Sequence, residues 1–277
     1  LHVGFRALAT SPGDCFREFR VVLGSIRAMR FDVCAHTYDE HAGPQRFFAE
    51  RVAQFIGAKP TENILELGAG TGALTRHLIG ARVSDPAASD ANRAGSETGA
   101  LLLATDASPT MVERGRVAVT TARWSVLDAF NASLPIAALQ VSSGLLHWAN
   151  DPSAMLANWK KFLTPGGRMV HAVPCEPCLK EWRALVPESP VPWRSESEWL
   201  KTFERAGLRV KRSRSWTHNA ICGSALEMVR GFHRTGVTGR VRVGPTRLRQ
   251  ALREYDARHR VPGGVRATWA WLAIEAN

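Results

Sequence analysis

The sequence contains no run of about 18 apolar residues, so it offers no segment able to cross a bilayer as a helix. No apolar signal core lies near its start, and its five cysteines fall at irregular spacing rather than in a disulfide framework. Both observations lead to the expectation of a reducing, cytoplasmic setting with no membrane partner. Internal repeats are absent too, which excludes a solenoid. Cys175-x-x-Cys178 has His171, His218 and Cys222 elsewhere in the chain, but Pro174 and Pro177 interrupt it and no second close pair follows. No metal site is therefore expected.

What is present is apolar residues in quantity and positive charge in one place. The chain has 277 residues, 45% of them hydrophobic, enough for one sizeable core with a small appendage. Its formal net charge is +11. Between Arg209 and Arg266 stand 14 Lys/Arg against 3 acids (Glu227, Glu254, Asp256), a difference of +11, which leaves 22 against 22 elsewhere. The excess is local and points to an acidic partner meeting the C-terminal third.

Residues 1–28 show no clear periodicity, and recognisable text opens at Met29. Residues 1–30 are expected to be a dispensable extension, with an amphipathic, Arg-bearing targeting segment as the alternative. Residues 31–277 read as a single domain. Phe47, Phe48, Val52, Phe55 and Ile56 recur at helical spacing and predict a helix up to Gly57, closing an N-terminal helical cap over 31–58. The small, polar run at 81–100 cannot bury enough surface to order itself, so a mobile loop is expected there. Strands are predicted at Leu101–Ala104, Ala122–Leu127 and around Leu139–Val141. Asp151-Pro152 is a helix-start signal, and the Gly-Gly turn of LTPGGRMVHAV leads into a fifth strand. A helix over SESEWLKTFERAGL, a polar-faced strand from Arg209 to Trp216, two short helices and a final strand ATWAWLAI complete the pattern. On the second short helix Leu248, Ala251, Leu252 and Tyr255 face inward, with Arg247, Arg249 and Arg253 outward. The alternation predicts a doubly wound α/β sheet of seven strands, mostly parallel, with a helical lid inserted at 218–262.

The stretch ILELGAGTG, Ile64 to Gly72, reads as a buried strand, a glycine turn and a helix start. Glycines let the backbone approach a ligand, and the helix N-terminus presents unpaired N–H groups. Gly68-x-Gly70-x-x-Ala73 also satisfies the relaxed dinucleotide fingerprint. Glu66 at the strand end suits a cation better than a pyrophosphate. Downstream, TDASPTMVERGR ends a second strand on Asp106. Together the two motifs resemble the Rossmann-like class I S-adenosylmethionine-dependent methyltransferases.

The opening FDVCAHTYDEHAGPQ, the segment VSSGLLHWANDP and SALEMVRGFHRTGVT further resemble the malonyl-acyl-carrier-protein O-methyltransferases of biotin synthesis. That family's Phe-Asp pair at the fourth strand is replaced here by Ala137-Ala138, and the lid is unusually rich in arginine. The resemblance implies a cofactor-binding core over 61–174 that holds S-adenosylmethionine. Its backbone contacts would come from Gly68, Gly70 and Gly72, with Glu66 near the methionine end. Asp106, beside Ala107, would take the ribose and Asp128 the adenine amine, while Ser142 and Ser143 would line the methionine portion. Tyr38 and His41 would close over the methyl group, with Trp148 opposite, and Arg230 would hold a substrate carboxylate. An acidic acyl carrier protein would dock on the basic stretch from Arg209 to Arg266. Two other readings stay open: an RNA methyltransferase whose basic lid follows phosphates, and a non-catalytic cofactor-binding assembly factor. Against the first, no Pro-Cys nucleophile follows the fourth strand and no Asn/Asp-Pro-Pro-aromatic motif is present.

Overall fold

The computed structural model describes residues 31–59, 62–83, 101–237 and 242–277. The expected extension at 1–30 and most of the expected loop at 81–100 lie outside these; residues 81–83 belong not to a loop but to the helix Ala73–Val83. Strand β1 (Ile64–Leu67) is buried along its whole length because parallel neighbours flank it on both sides, β2 (Leu102–Asp106) and β4 (Ala137–Ser143). Strand β3 (Arg123–Val126) extends the sheet beyond β2, and β5 (Leu163–Pro174) extends it beyond β4, all parallel. The last long strand, β8 (Gly264–Ala276), runs antiparallel between β5 and β6 (Val210–Cys222). The order is β3-β2-β1-β4-β5-β8-β6, and a two-residue strand β7 (Arg260–Val261) pairs with β8 as an eighth member.

Side-chain alternation in the strands explains the double winding. Leu65 and Leu67 of β1, Met169 and Val173 of β5, and Leu272 and Ile274 of β8 share one core, and Ile64, Val170, Ala172 and Ala273 share the other. Against the second face pack α2 (Gly43–Ile56), with Phe48, Val52 and Ile56, and α3 (Ala73–Val83), with Leu74 and Leu78. At the β2–β3 end of the sheet, α4 (Pro109–Ala118) starts on Ser108, whose Oγ accepts the Met111 amide at 3.1 Å. Against the first face pack α5 (Pro152–Lys160), with Leu156 and Trp159, and α7 (Glu196–Arg205), with Trp199 and Phe203. Each fully buried side chain of this size contributes roughly 1.5–3 kcal/mol. Local signals set the helix ends: Asp151 Oδ1 accepts the amides of Ser153 and Ala154, and α2 stops at Gly57 in the left-handed region.

Three boundaries differ from expectation. Strand β2 starts at Leu102 rather than Leu101, and ends on Asp106 as the motif indicates. Strand β6 does not stop at Trp216 but runs to Cys222, because its polar, alternating side chains belong to a two-stranded ribbon. Strand β5 pairs with β8 only as far as Pro174 opposite Trp271, so β6 from Thr217 and β8 before Trp271 project past the C-terminal ends of the parallel strands. The helices after β6 therefore begin at α8 (Ala225–Arg234), followed by α9 (Pro245–Arg258), and the ribbon carries both to that edge. Third, the segment after β5 holds a short helix, α6 (Lys180–Leu185), where no element was assigned. The N-terminal α1 (Phe31–His41) meets α8 at the same edge: Thr37 Oγ1 donates to Arg234 O at 3.0 Å and Cys34 Sγ to His233 O at 3.4 Å.

Candidate functional site

The C-terminal ends of β1, β2 and β4 converge on the glycine turn. Gly70 adopts φ 56, and a Cβ there would meet nothing within 4 Å; its open side is the cleft itself. Its amide donates to Asp106 Oδ2 at 2.9 Å, and the Ser108 amide donates to Asp106 Oδ1 at 2.9 Å. Burial pushes the Asp106 carboxyl up, and these two amides act against that shift. Each oxygen keeps a further lone pair for a hydroxyl donor. Beside it Asp128 accepts from Phe130 N at 3.0 Å and from Asn131 Nδ2 at 2.7 Å. Gly68, Gly70, Asp106, Ala107, Asp128 and Ser143 all line this cleft.

Glu66 is 2% exposed, with Thr75 Oγ1 donating to its Oε2 at 2.7 Å. Burial, with the Asp106 charge adding to it, pushes its carboxyl up to about 8. Two other expected ligand contacts fall elsewhere. Gly72 takes φ 89 and faces Val119 and Trp124, within 3.1–3.2 Å of where a Cβ would sit, so it packs against the protein rather than lining the cleft. Ser142 is fully buried on the opposite face of β4 from Ser143, its Oγ 2.9 Å from His171 Nδ1. The pleat of the strand admits one of the two serines, and it is Ser143.

A second cavity of about 220 Å³ opens from the first across Gly68, Gly70, Ser143 and Gly144. Phe31, Tyr38 and Trp148 line both, so three aromatic rings stand at the junction. Burial raises the Tyr38 hydroxyl well above its ordinary value, as do the charges of Asp106 and Asp39, and it stays protonated. Trp182, Trp193, Phe232, Trp269 and Trp271 add further aromatic side chains to its wall. Among the described residues, Gln45 Oε1, His147 Nδ1, Glu188 Oε2, Trp193 Nε1 and Trp271 Nε1 line this cavity buried and without a partner. His147 is pushed down to about 3 by burial and by the Arg194 charge, so it is neutral. An apolar cavity with a few convergent polar atoms is the usual form of a small-ligand site.

The structure does not bring the other two expected catalytic residues into the cavity. His41 lies at the end of α1 with its Nε2 3.1 Å from Arg234 Nη1, a contact between α1 and α8. Arg230 is exposed: on α8 it is Val229, Phe232 and His233 that face the cavity, and Arg230 lies off that stripe. The wall contributed by residues 174–193 was not anticipated; its signal was two tryptophans and an arginine in a proline-punctuated segment after the fifth strand. Cys175 and Cys178 are buried free thiols, each pushed up to about 12 by burial. Among the described residues no three His, Cys, Asp or Glu side chains cluster to hold a metal, and no helix is long and apolar enough to cross a membrane.

The family described as "Methyltransferase domain" matches residues 38–213. The biotin biosynthesis bifunctional protein BioCD of Bordetella avium is 32% identical over 250 residues, covering 83% of this chain and 48% of that relative. The chain thus spans about half of that protein's length. The malonyl-[acyl-carrier protein] O-methyltransferase of Herminiimonas arsenicoxydans is 26% identical over 265 residues, covering 90% of this chain and 94% of that one. Among solved structures, the YcgJ protein of Bacillus subtilis shares the fold, with a TM-score of 0.58 at 14% identity over 83% of this chain and 97% of its own.

Proposed function

The chain belongs to the methyltransferase-domain family, whose enzymes take their methyl group from S-adenosylmethionine, and from that premise we propose that it methylates the free carboxylate of a malonyl thioester on acyl carrier protein. The residues present fit the cofactor: the Gly70 side of the turn is open, Asp106 retains acceptor capacity, and the Glu66 carboxyl group lines the adjoining cavity. When bound, the cofactor supplies an electrophilic methyl on a sulfonium. On this reading the Gly68 and Gly70 backbone and Ser143 hold it, Asp106 and Ala107 meet its ribose, and Asp128 its base. Tyr38 and Trp148 line the junction of the two cavities, where on this reading their rings favour a sulfonium. A malonyl carboxylate is ionised at neutral pH, so the site needs no general base, which suits a protonated Tyr38 and a neutral His147. What remains for the protein is to hold two reactants in line and exclude water.

The observation that carries the reading is the second cavity, aromatic-walled and sharing lining residues with the cofactor cleft. It suits a slender acyl arm delivered from outside better than a base attached to a polyphosphate. The helices α8 and α9 serve on this reading as the lid, and their basic outer surface as the place where the acidic carrier docks in the cytoplasm. Incubation with methyl-labelled S-adenosylmethionine tests it: malonyl-carrier protein is expected to gain label, and acetyl-carrier protein is not. Label in RNA instead would transfer the basic surface to nucleic acid. Cofactor binding with no acceptor labelled would make the chain a non-catalytic binder.

A further inference from the structure

With Arg230 facing solvent, a carboxylate entering the second cavity finds, among the described residues that line it, one Lys or Arg, Arg183. We propose that Arg183 is the residue that reads the substrate's free carboxylate and sets the preference for a malonyl over an uncharged acyl group. This rests on the carboxyl-methylation reading above.

Arg183 is 22% exposed and is held from three directions. Its Nη1 donates to Cys178 O at 3.2 Å, its Nη2 meets Glu176 Oε1 at 3.0 Å, and its guanidinium carbon lies 4.8 Å from the centroid of the Trp193 ring. A guanidinium has five N–H donors, and these contacts engage one on each Nη, leaving Nε–H and the second hydrogens. Glu176 is 49% exposed, so water screens its hold and it is a weak competitor for a carboxylate arriving in the cavity. Of the two acids among the described residues that line the cavity, Glu66 lies at the end of β1, and Glu188 is engaged at Oε1 by Arg247 from the outer helix α9.

The helix that carries Arg183 is fixed in advance. Leu179, just before α6, sits at φ 51, a left-handed conformation that a leucine adopts only when its surroundings impose it. Its amide donates to Thr268 O at 2.6 Å. Glu181, 5% exposed, accepts from the Thr268 amide at 3.3 Å and from the Thr268 hydroxyl. Residues 179–183 are therefore pinned to the projecting part of β8, directly after β5, on the edge where Ser143 and Gly144 end β4. The unpartnered Trp193 indole N–H lies in the same wall and offers a donor to an acyl carbonyl. A fixed fork beside a fixed ring is the arrangement that recognises a carboxylate bidentately. Methylation then turns the anion into a neutral ester, the carbon–sulfur bonding pair remaining on sulfur, and Arg183 loses its partner. The same group that selects the substrate releases the product.

The test compares dissociation constants of the full chain for malonyl- and acetyl-carrier protein, which differ only by the carboxylate, in wild type, Arg183→Gln and Arg183→Lys. S-adenosylmethionine affinity and melting temperature are followed alongside. Arg183→Gln is expected to lose roughly ten- to hundred-fold in affinity for the malonyl form, the worth of a charge-assisted hydrogen bond, with the acetyl form and the cofactor unaffected. Arg183→Lys should recover part of the preference. Equal weakening of both carrier forms would overturn the proposal and assign Arg183 to the phosphate of the carrier's arm; so would an unchanged malonyl preference. Should the Gln variant not fold, the Lys variant, which keeps the charge and loses the fork, must still show a reduced preference, and an undiminished one overturns the assignment. A wild type that neither methylates malonyl-carrier protein nor prefers it to the acetyl form refutes the functional reading, and the role of Arg183 falls with it.

Discussion

A carboxylate at the end of β1 is costly to keep where water cannot reach it, and Glu66 has a single side-chain hydroxyl, that of Thr75, to offset the loss. Burial raises its carboxyl to about 8, so the folded chain holds a proton that the unfolded chain releases above its ordinary range. The sign follows from that difference: the contribution to stability is complete below about pH 4 and is lost as pH rises toward 8. Glu66→Gln keeps an acceptor for Thr75 and removes the charge. Thermal melts should show the variant's stability flatter between pH 5 and 8, with a gain over wild type at pH 8 on the order of 3 kcal/mol. A gap that does not vary with pH would sink the argument. Glu66, Asp106 and the glycine turn were legible in the sequence because strand end, turn and helix start fix their places together. His41, Arg230 and Ser142 were not, because a motif gives a residue's position along a helix or strand but not its phase. One residue's shift along α8 or β4 exchanges cavity for solvent or core, as the neighbours Arg230 and Val229, and Ser142 and Ser143, demonstrate.

Elements reach the site through anchors placed far from it. Arg168 on β5 fastens the strand entrance: its Nε and Nη2 meet both oxygens of Glu62 at 3.1 and 3.0 Å, its Nη1 lies 3.3 Å from Glu275 on β8, and the same Nη1 donates to Ile56 O at the end of α2. One guanidinium thus joins the segment before β1, the end of α2 and two strands. Burial works against the Glu62 charge, yet the hydrogen bonds and charge of Arg168 hold its carboxyl below the usual range. The stabilisation is therefore present above the ordinary carboxylate range and lost as pH falls through the lowered value. Arg168→Ala should destabilise the protein by roughly 3 kcal/mol at pH 7, as breaking a largely buried pair does. Urea unfolding should find that loss shrinking toward pH 3; a loss of the same size at both pH values would mean that Arg168 acts by packing alone. The helices of this frame were legible from periodicity and caps, as at Asp151 and Gly57. The far half of β6 was not, since an exposed ribbon carries no apolar stripe to mark it, and α6 was hidden because six residues are too few for a helical period to declare itself.

Over the whole molecule, charge is distributed as unevenly as apolar surface. The balanced part of the chain builds the parallel strands, while the +11 excess lies between Arg209 and Arg266, a stretch that includes β6, α8, α9, β7 and the start of β8. On α9 Leu248, Ala251, Leu252 and Tyr255 are buried, and Arg247, Arg249 and Arg253 are exposed. Of these, Arg247 also ties α9 to Glu188 in the cavity wall, so reversing it would disturb the site as well as the surface. Arg249 and Arg253 separate the two effects. If this surface receives an acidic carrier, Arg249→Glu with Arg253→Glu should raise the Michaelis constant for malonyl-carrier protein several-fold. It should also flatten the dependence of kcat/KM on salt, because exposed charges act mainly on the rate of encounter. Turnover at saturation and S-adenosylmethionine affinity should stay at wild-type values, since neither residue lines the cofactor cleft or the aromatic cavity. Steady-state kinetics between 50 mM and 300 mM salt would decide. Unchanged Michaelis constants would move the carrier's docking site off α9, and a fall in turnover instead would mean that α9 acts on the geometry of the cavity rather than on the approach of the partner.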